Sequence, residues 1–393
     1  MSTRTQRSIR GLVSGATVWR TDADVWDVLI VGRGPAGLAA GITSRRAGLS
    51  VAIAGVADAM PRCGETLSAS CLPLLSKLGI GDELHSAHHL SLDGVRSAWG
   101  SSAAREHSSM FHPYGKSVIL DRARFDRRLE TLFHDEGGVV VEGRIQNVRL
   151  DGAEHIVTLR GRQGGAQLKA RALVDATGIA AHVARRLGAR RITQTRQVAL
   201  GFCFDAPSKS EALPMTAIVE AIEWGWLFAV PVQLRRAVVW LICDPALVAQ
   251  QNVHNRALRA SKEISRWLGC FHLRQAGNPT LRNASVGKLD QVTGDAWVAV
   301  GDAALSLDPL SSSGVTFAML SGSHGGMAIA SRVANNAYDL STYARILEDA
   351  AEHHGKLREQ FYHIERRWPG ADFWNLRQDF AGCTAADNEE DLG

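Results

Sequence analysis

The feature that most constrains this chain is the run Val25-Trp-Asp-Val-Leu-Ile-Val31, followed at once by Gly32-Arg-Gly34-Pro35-Ala36-Gly37. An apolar stretch this short, ended by a glycine turn, is the signature of a strand buried on both faces of a parallel sheet. Pro35 to Ala47 then reads as a helix rich in Ala and Leu, and Ser50 to Ala54 as a second strand, which completes a βαβ unit. In that setting the glycine spacing has a physical meaning. Gly32 makes the tight turn, Gly34 lets a pyrophosphate reach the backbone, and Gly37 lets helix and strand pack closely, while the helix N-terminus favours the phosphates. One element of a dinucleotide site is missing. An acid about 20 positions on normally accepts a ribose hydroxyl, whereas here the second strand closes on Ala54-Gly55 and Asp58 comes late. What replaces that acid is left open.

Further strand-like stretches lie at Val139 to Leu150, Ile156 to Leu159 and Leu168 to Val174, the last ending in Asp175-Ala-Thr177-Gly178. Another, Ala296 to Val300, ends in Gly301-Asp302. Between them, Val198 to Phe204, Trp226 to Val232 and Ala237 to Cys243 are β-rich without β-α alternation, as in an inserted second domain. Ser341 to Trp368 has helical spacing, with Tyr343, Leu347, Ala350 and Ala351 on one face. The expected division is an arm at 1–24, a discontinuous dinucleotide-binding domain at 25–84, 117–190 and 284–340, and a substrate domain at 85–116 and 191–283. A C-terminal helical segment at 341–384 and an acidic tail at 385–393 follow.

Composition narrows the function classes. With 44 basic and 40 acidic residues the net charge is only +4, too small and scattered to suggest nucleic acid as partner. No apolar run approaches the about 20 residues of a spanning helix. Cys63, Cys71, Cys203, Cys243, Cys270 and Cys383 contain no C-x-x-C pair, which fits reduced thiols and a cytoplasmic location. His85, His88 and His89 have the i, i+3, i+4 spacing of a helical zinc face, but no further ligand cluster accompanies them and no metal is expected. The arginines Arg4, Arg7, Arg10 and Arg20 occur in transit peptides and in plain flexible arms alike; a flexible arm is the expectation.

Two further segments decide which dinucleotide. Gly301-Asp302-Ala-Ala-Leu-Ser-Leu-Asp308-Pro309-Leu-Ser-Ser312-Ser313-Gly314-Val315 resembles the second FAD motif of aromatic hydroxylases, flavin-dependent tryptophan halogenases and geranylgeranyl reductases. The resemblance implies that Asp302 bonds the ribityl chain and that a helix N-terminus after Pro309 lies beside the flavin. A positive helix end there would stabilise an anionic reduced ring. Arg122, in Leu-Asp-Arg122-Ala-Arg-Phe-Asp126, and Thr177-Gly178 match further elements of these families, near the ribityl-pyrophosphate region and the adenine side. Arg62-Cys63-Gly64-Glu65-Thr66 resembles the G-E-S/T segment that lines the flavin, and Gly225-Trp226-Leu-Phe228-Ala-Val-Pro231 the G-W-x-W-x-I-P motif of the halogenases. The implied fold is α/β: a Rossmann-like FAD-binding domain of the aromatic-hydroxylase type, an inserted β-rich substrate domain and a C-terminal helix. The catalytic candidates are Glu65, Trp226 and Phe228. No catalytic base is identified.

The halogenases also use a lysine after the G-E-S/T helix and a glutamate in D-P-L-E-S-T-G. This chain has no lysine between Lys77 and Lys116, with Leu92 near the expected position, and it has Ser311 in place of the glutamate. Its D-P-L-S-S-x-G variant, with the tail Phe361-Tyr-His-Ile-Glu365-Arg-Arg-Trp368-Pro-Gly-Ala-Asp-Phe373-Trp374, resembles instead the flavoproteins that mature tryptophylquinone enzymes. Those include maturation factors of lysine ε-oxidase and glycine oxidase and a monooxygenase of quinohemoprotein amine dehydrogenase biogenesis. This implies hydroxylation of an indole through a flavin hydroperoxide, with O₂ and an aromatic small molecule or Trp-containing peptide or protein as substrates. No second glycine fingerprint is present, so electrons would come from transiently bound NAD(P)H or from a reductase. The alternatives are a reductase of the geranylgeranyl type and an FAD-bearing assembly factor without turnover.

Overall fold

The computed structural model describes residues 25–56, 64–85, 88–108, 113–161, 164–334 and 340–378. The arm, the tail, Asp58, Arg62 and Cys63 lie outside the described residues.

The first sheet runs Trp297–Ala299, Gly164–Asp175, Val25–Val31, Val51–Gly55 and Val139–Glu142, all parallel. Val28, Leu29 and Ile30 are fully buried in its centre, which is why the strand reads as an unbroken apolar run. The Gly164–Asp175 strand does double duty. Its first part pairs antiparallel with Glu154–Gly161, and its last part joins the parallel sheet. The single strand expected over Val139 to Leu150 is two, Val139–Glu142 and Arg144–Asp151, which turn at Gly143 and join different neighbours.

The helices Pro35–Arg46 and Gly314–Val333 pack against each other almost without side chains between them. A Cβ at Gly322 would come within 2.2 Å of the Ala36 carbonyl oxygen, and one at Gly326 within 2.6 Å of the Ala40 carbonyl oxygen. Small residues at these positions therefore set the approach of the two backbones.

The second sheet has the order Arg274–Asn283, Val198–Asp205, Arg236–Cys243, Gly225–Gln233, Thr216–Ile222, Gly94–Ala98 and Arg105–Ser108. It is antiparallel except between Thr216–Ile222 and Gly94–Ala98. Both faces are apolar. Leu227, Ala229, Val239 and Leu241 face the helices Val253–Ala260 and Glu263–Cys270, which the β-rich reading of this region did not include. Trp226, Phe228, Trp240 and Ile242 face the other way. The C-terminal helix expected to Trp368 ends at Ile364, ahead of Pro369, and a short helix, Asp372–Gln378, follows. His88 and His89 lie in a turn after the 3₁₀ segment Gly81–His85, not on a helical face, because buried His89 accepts the Asp121 N–H at 3.1 Å. Among the described residues no group of three His, Cys, Asp or Glu is placed to hold a metal, and no helix is long and apolar enough to cross a membrane.

One substitution tests the helix contact and a second, on the Leu340–Ile364 helix, serves as its control. Gly322→Val should cost about 3 kcal/mol, the upper end for overpacking, read as a fall in denaturation midpoint. Gly355→Ala, exposed and mid-helix with no atom near its Cβ, should instead stabilise by about 0.5–1 kcal/mol.

Candidate active site

A cavity of about 620 Å³ lies between the two sheets, within the about 300–1,000 Å³ usual for ligand sites. One end is a backbone cradle. Gly32, with φ +121°, turns the chain so closely over Ala176 that any side chain would collide with its carbonyl. Gly34, Pro35 and Ala36 line the cavity, and a side chain at Gly34 would meet no protein atom within 4 Å. The helix that starts here has no side-chain cap and no acid in its first turn, so its terminal N–H groups remain for a ligand. Gly37 does not line the cavity; it packs on the Gly32 carbonyl.

The second helix end reaches the same cavity. Asp308 caps the 3₁₀ turn Pro309–Ser311 by accepting the Leu310 N–H at 3.0 Å, and Ser312, in the left-handed conformation at φ 48°, reverses the chain into Gly314. Pro309, Ser312, Gly314 and Val315 line the cavity, as does Asp302. Gly301 and Ser313 do not. Gly301 packs against Ala36, and the Ser313 hydroxyl donates to the Ser311 carbonyl. Two unblocked helix N-termini and open space in front of Gly34 and Gly314 fit an extended, doubly anionic dinucleotide such as FAD.

Glu65, Thr66 and Arg122 come together at the cavity wall. Arg122 opens a helix capped by Asp121 and is 4% exposed; its guanidinium donates to Glu65 and, at 3.1 to 3.3 Å, to Asp126. Gly64, at φ +78°, lets this segment lie against Val238 and Val230. Thr177 and Gly178 line the other end, where Asp175 accepts from Thr177, Val183 and Ala184. At the position of the missing acid, Gly55 packs on Arg33, and Arg33 pairs with Glu130 at 2.5 Å.

The far wall is one face of the second sheet. Trp226 and Phe228 stand opposite Ile242 and Trp240 on the neighbouring strand, and Ala199 completes the surface. The motif match named only Trp226 and Phe228; Trp240 and Ile242 sit two apart in the apolar run Ala237 to Cys243, and the period of two along a strand is the signal that puts them on one face. Leu92, near the expected place of a lysine, is 5% exposed in an apolar cluster with Ile119 and Val230. Lys116 pairs with Asp93 on the surface at 2.6 Å, and no described residue lining the cavity is a lysine.

Asp308 was read only as part of a loop motif, yet it is a buried node. Besides Leu310 it accepts from Gln197 at 3.3 Å, Arg358 at 3.1 Å and the Tyr362 hydroxyl at 3.2 Å. Gln197 in turn accepts from Arg377, which pairs with Asp244 at 2.7 Å. The Trp226 indole N–H donates to the Tyr362 oxygen at 3.2 Å, and burial beside Asp308 pushes the phenol pKa up. The C-terminal helices are thereby bonded to the loop that aims Gly314 and to the aromatic wall.

Asp308→Ala would take the buried carboxylate from the Arg358 guanidinium, 9% exposed and left with its bond to Thr195 at 2.7 Å, and should cost about 3 kcal/mol, the lower end for a broken buried pair; the double change with Arg358→Met should recover part of that in an unfolding assay. At the other end, hydrogen bonding from His134 and the charge of Arg33 hold Glu130 down at about 2 against an ordinary 4.5. A depressed carboxyl contributes stability above its unfolded pKa, and the contribution is lost as pH falls through the folded one. Wild type should therefore lose this share between about pH 4.5 and 2, and Glu130→Gln should show a flatter acid limb in unfolding titrations.

The sequence profile described as tryptophan halogenase matches residues 85–386. LodB of Marinomonas mediterranea, named as an FAD-dependent oxidoreductase, is 27% identical over 375 residues, covering 92% of this chain and 99% of its own. Among solved structures, the flavin-dependent halogenase CmlS superposes with a TM-score of 0.80 at 24% identity, covering 93% of this chain and 69% of that one. The peptidyl tryptophan dihydroxylase QhpG, essential for tryptophylquinone cofactor biogenesis, superposes at 0.72 and 24% identity, over 92% and 80%. With this profile spanning most of the chain and the flavoprotein fold around it, the chain belongs to the tryptophan halogenase family and is an FAD-dependent oxidoreductase.

Proposed function

We propose that this protein is a flavin monooxygenase that hydroxylates an indole ring, most specifically a tryptophan side chain in a peptide or protein. The observation that carries the reading is the composition of one continuous cavity: a phosphate cradle at one end, and at the other Trp226, Phe228, Trp240 and Ile242 with no lysine among them. A halogenase of the pattern described above needs a lysine to meet hypohalous acid; Leu92 lies near the expected place of that lysine, and Ser311 replaces the glutamate. QhpG acts on peptidyl tryptophan by name, and the same substrate class is proposed here.

When bound, FAD would supply reduced-flavin activation of O₂, with electrons from NAD(P)H or a separate reductase. The chain's own residues would do the rest. Gly32, Gly34, Pro35 and Ala36 hold the pyrophosphate on the helix N-terminus, Thr177 and Gly178 border the adenine side, and Asp302 holds the ribityl chain. Arg122, held by Glu65 and Asp126, fixes the wall nearest the cradle. The N-terminus at Gly314 stabilises negative charge on the reduced ring system. Trp226, Phe228 and Trp240 seat the substrate ring by aromatic contact and keep water from the reacting atoms. Arg62 lies outside the described residues and carries no part of this account.

With FAD, an electron donor and a Trp-containing peptide, oxygen consumption should rise and the peptide should gain oxygen mass. Hydride exchange with an apolar substrate and no peptide-stimulated oxygen uptake would instead support the reductase reading; co-purification with an oxidase partner without turnover would support the assembly factor. A brominated peptide in bromide buffer would contradict the proposal. Phe228→Ala should lower kcat/KM about tenfold, the loss of about 1.4 kcal/mol of aromatic contact.

A further inference from the structure

The aromatic wall of the cavity does not stop at the cavity. Behind Trp226, Trp99 lies with its ring centroid at 6.2 Å and an interplanar angle of 72°. Trp99 meets Tyr362 at 5.8 Å and Trp374 at 5.2 Å, and Tyr362 meets Trp374 at 5.8 Å. Trp374 stacks on Trp368 at 5.9 Å and 18°. Trp226, Tyr362 and Trp374 are buried, whereas Trp99 and Trp368 are partly exposed, so the array runs from the cavity to the surface.

Packing alone explains a cluster of rings, but two features exceed it. The cluster also holds phenylalanines, Phe373 edge-on to Trp374 at 5.2 Å and Phe228 near Trp226, yet the rings that link Trp226 to Trp374, Trp99 and Tyr362, are an indole and a phenol, the two most readily oxidised aromatic side chains. The phenol also has a place for its proton. Tyr362 accepts from Trp226 and donates to the Asp308 carboxylate at 3.2 Å, and a phenol can lose an electron at modest cost only if its proton leaves with it.

We propose that Trp226, Tyr362, Trp99 and Trp374 form a redox chain that carries one-electron oxidising equivalents out of the cavity when no substrate is present to be oxygenated. The oxidant is superoxide, formed in the cavity when reduced flavin leaks one electron to O₂; it takes one electron from Trp226 and two protons from solvent and leaves as hydrogen peroxide. Trp226 is refilled by an electron from Trp99, or from Tyr362 with transfer of its phenol proton to Asp308. The deficit settles on partly exposed Trp99 and is filled by one electron from a thiol in solution, which releases its proton to water and whose thiyl radicals pair as a disulfide; the proton on Asp308 returns to Tyr362 when that ring is refilled. The function is to spare the cavity wall from oxidation in unproductive cycles. It rests on the flavin reading of the cavity.

Flash photolysis of the FAD-loaded protein without oxygen supplies a one-electron oxidant in place of superoxide, because photoexcited flavin is a strong one-electron acceptor. Transient absorption and EPR should show a long-lived tryptophan or tyrosine radical in wild type. Trp226→Phe should abolish it, and Trp99→Phe, Tyr362→Phe and Trp374→Phe should each shorten its lifetime severalfold. Ring-deuterated tryptophan or tyrosine in the wild-type protein should narrow the EPR signal and assign the radical without any substitution. A radical that survives Trp226→Phe, a lifetime unchanged in the other three variants, or no radical in wild type would overturn the chain while leaving the flavin reading intact. Failure of wild type to bind FAD at all would overturn both.

Discussion

The packing of the Pro35–Arg46 helix on the Gly314–Val333 helix is the contact on which the site depends. Glycines at 322 and 326 let the second helix touch the backbone carbonyls of Ala36 and Ala40, and Gly301 closes on Ala36 from the side. With side chains in the way, the axes would separate and the two N-termini would no longer border one cavity. Their convergence adds a positive backbone field to the charge of the lining arginines Arg33, Arg122 and Arg282, since oriented N–H dipoles are fixed before any ligand arrives.

The second constraint is the buried Asp308 node. A carboxylate this deep is tolerated because it receives hydrogen bonds from a backbone amide, a glutamine, an arginine and a tyrosine. The side-chain donors come from distant parts of the chain, Gln197 just before the Val198–Asp205 strand and Arg358 and Tyr362 from the Leu340–Ile364 helix, so the 308–314 loop is fixed by elements far from it in sequence. The same tyrosine bonds Trp226, which ties the geometry of the loop to that of the aromatic wall.

What was legible in the sequence follows from how local each signal is. The fingerprint turn is fixed by glycines within a few residues of one another, and the α/β flavoprotein fold, the family and the FAD-dependent oxidoreductase class all followed from it and from the Gly301–Val315 segment. The break at Gly143 was missed because strand propensity continues on both sides of it, and the helices at Val253–Ala260 and Glu263–Cys270 because neighbouring strands dominated the reading. Gly37, Gly301 and Ser313 belong to the motifs but act by packing and turning, which a motif match does not separate from contact with a ligand. The Asp308 node could not be read, because hydrogen bonds spanning from 50 to 111 positions leave no local pattern.

The central claim is that the cavity holds reduced flavin in a dry, positively polarised setting that turns its reaction with O₂ toward oxygen transfer. The most direct measurement is rapid mixing of the anaerobically reduced, FAD-loaded protein with O₂ while the flavin spectrum is followed. The account predicts a transient species distinct from both the reduced and the oxidised flavin, decaying faster when the aromatic substrate is present. Direct return to the oxidised spectrum, with a Trp-containing peptide and candidate partners also present, would contradict it.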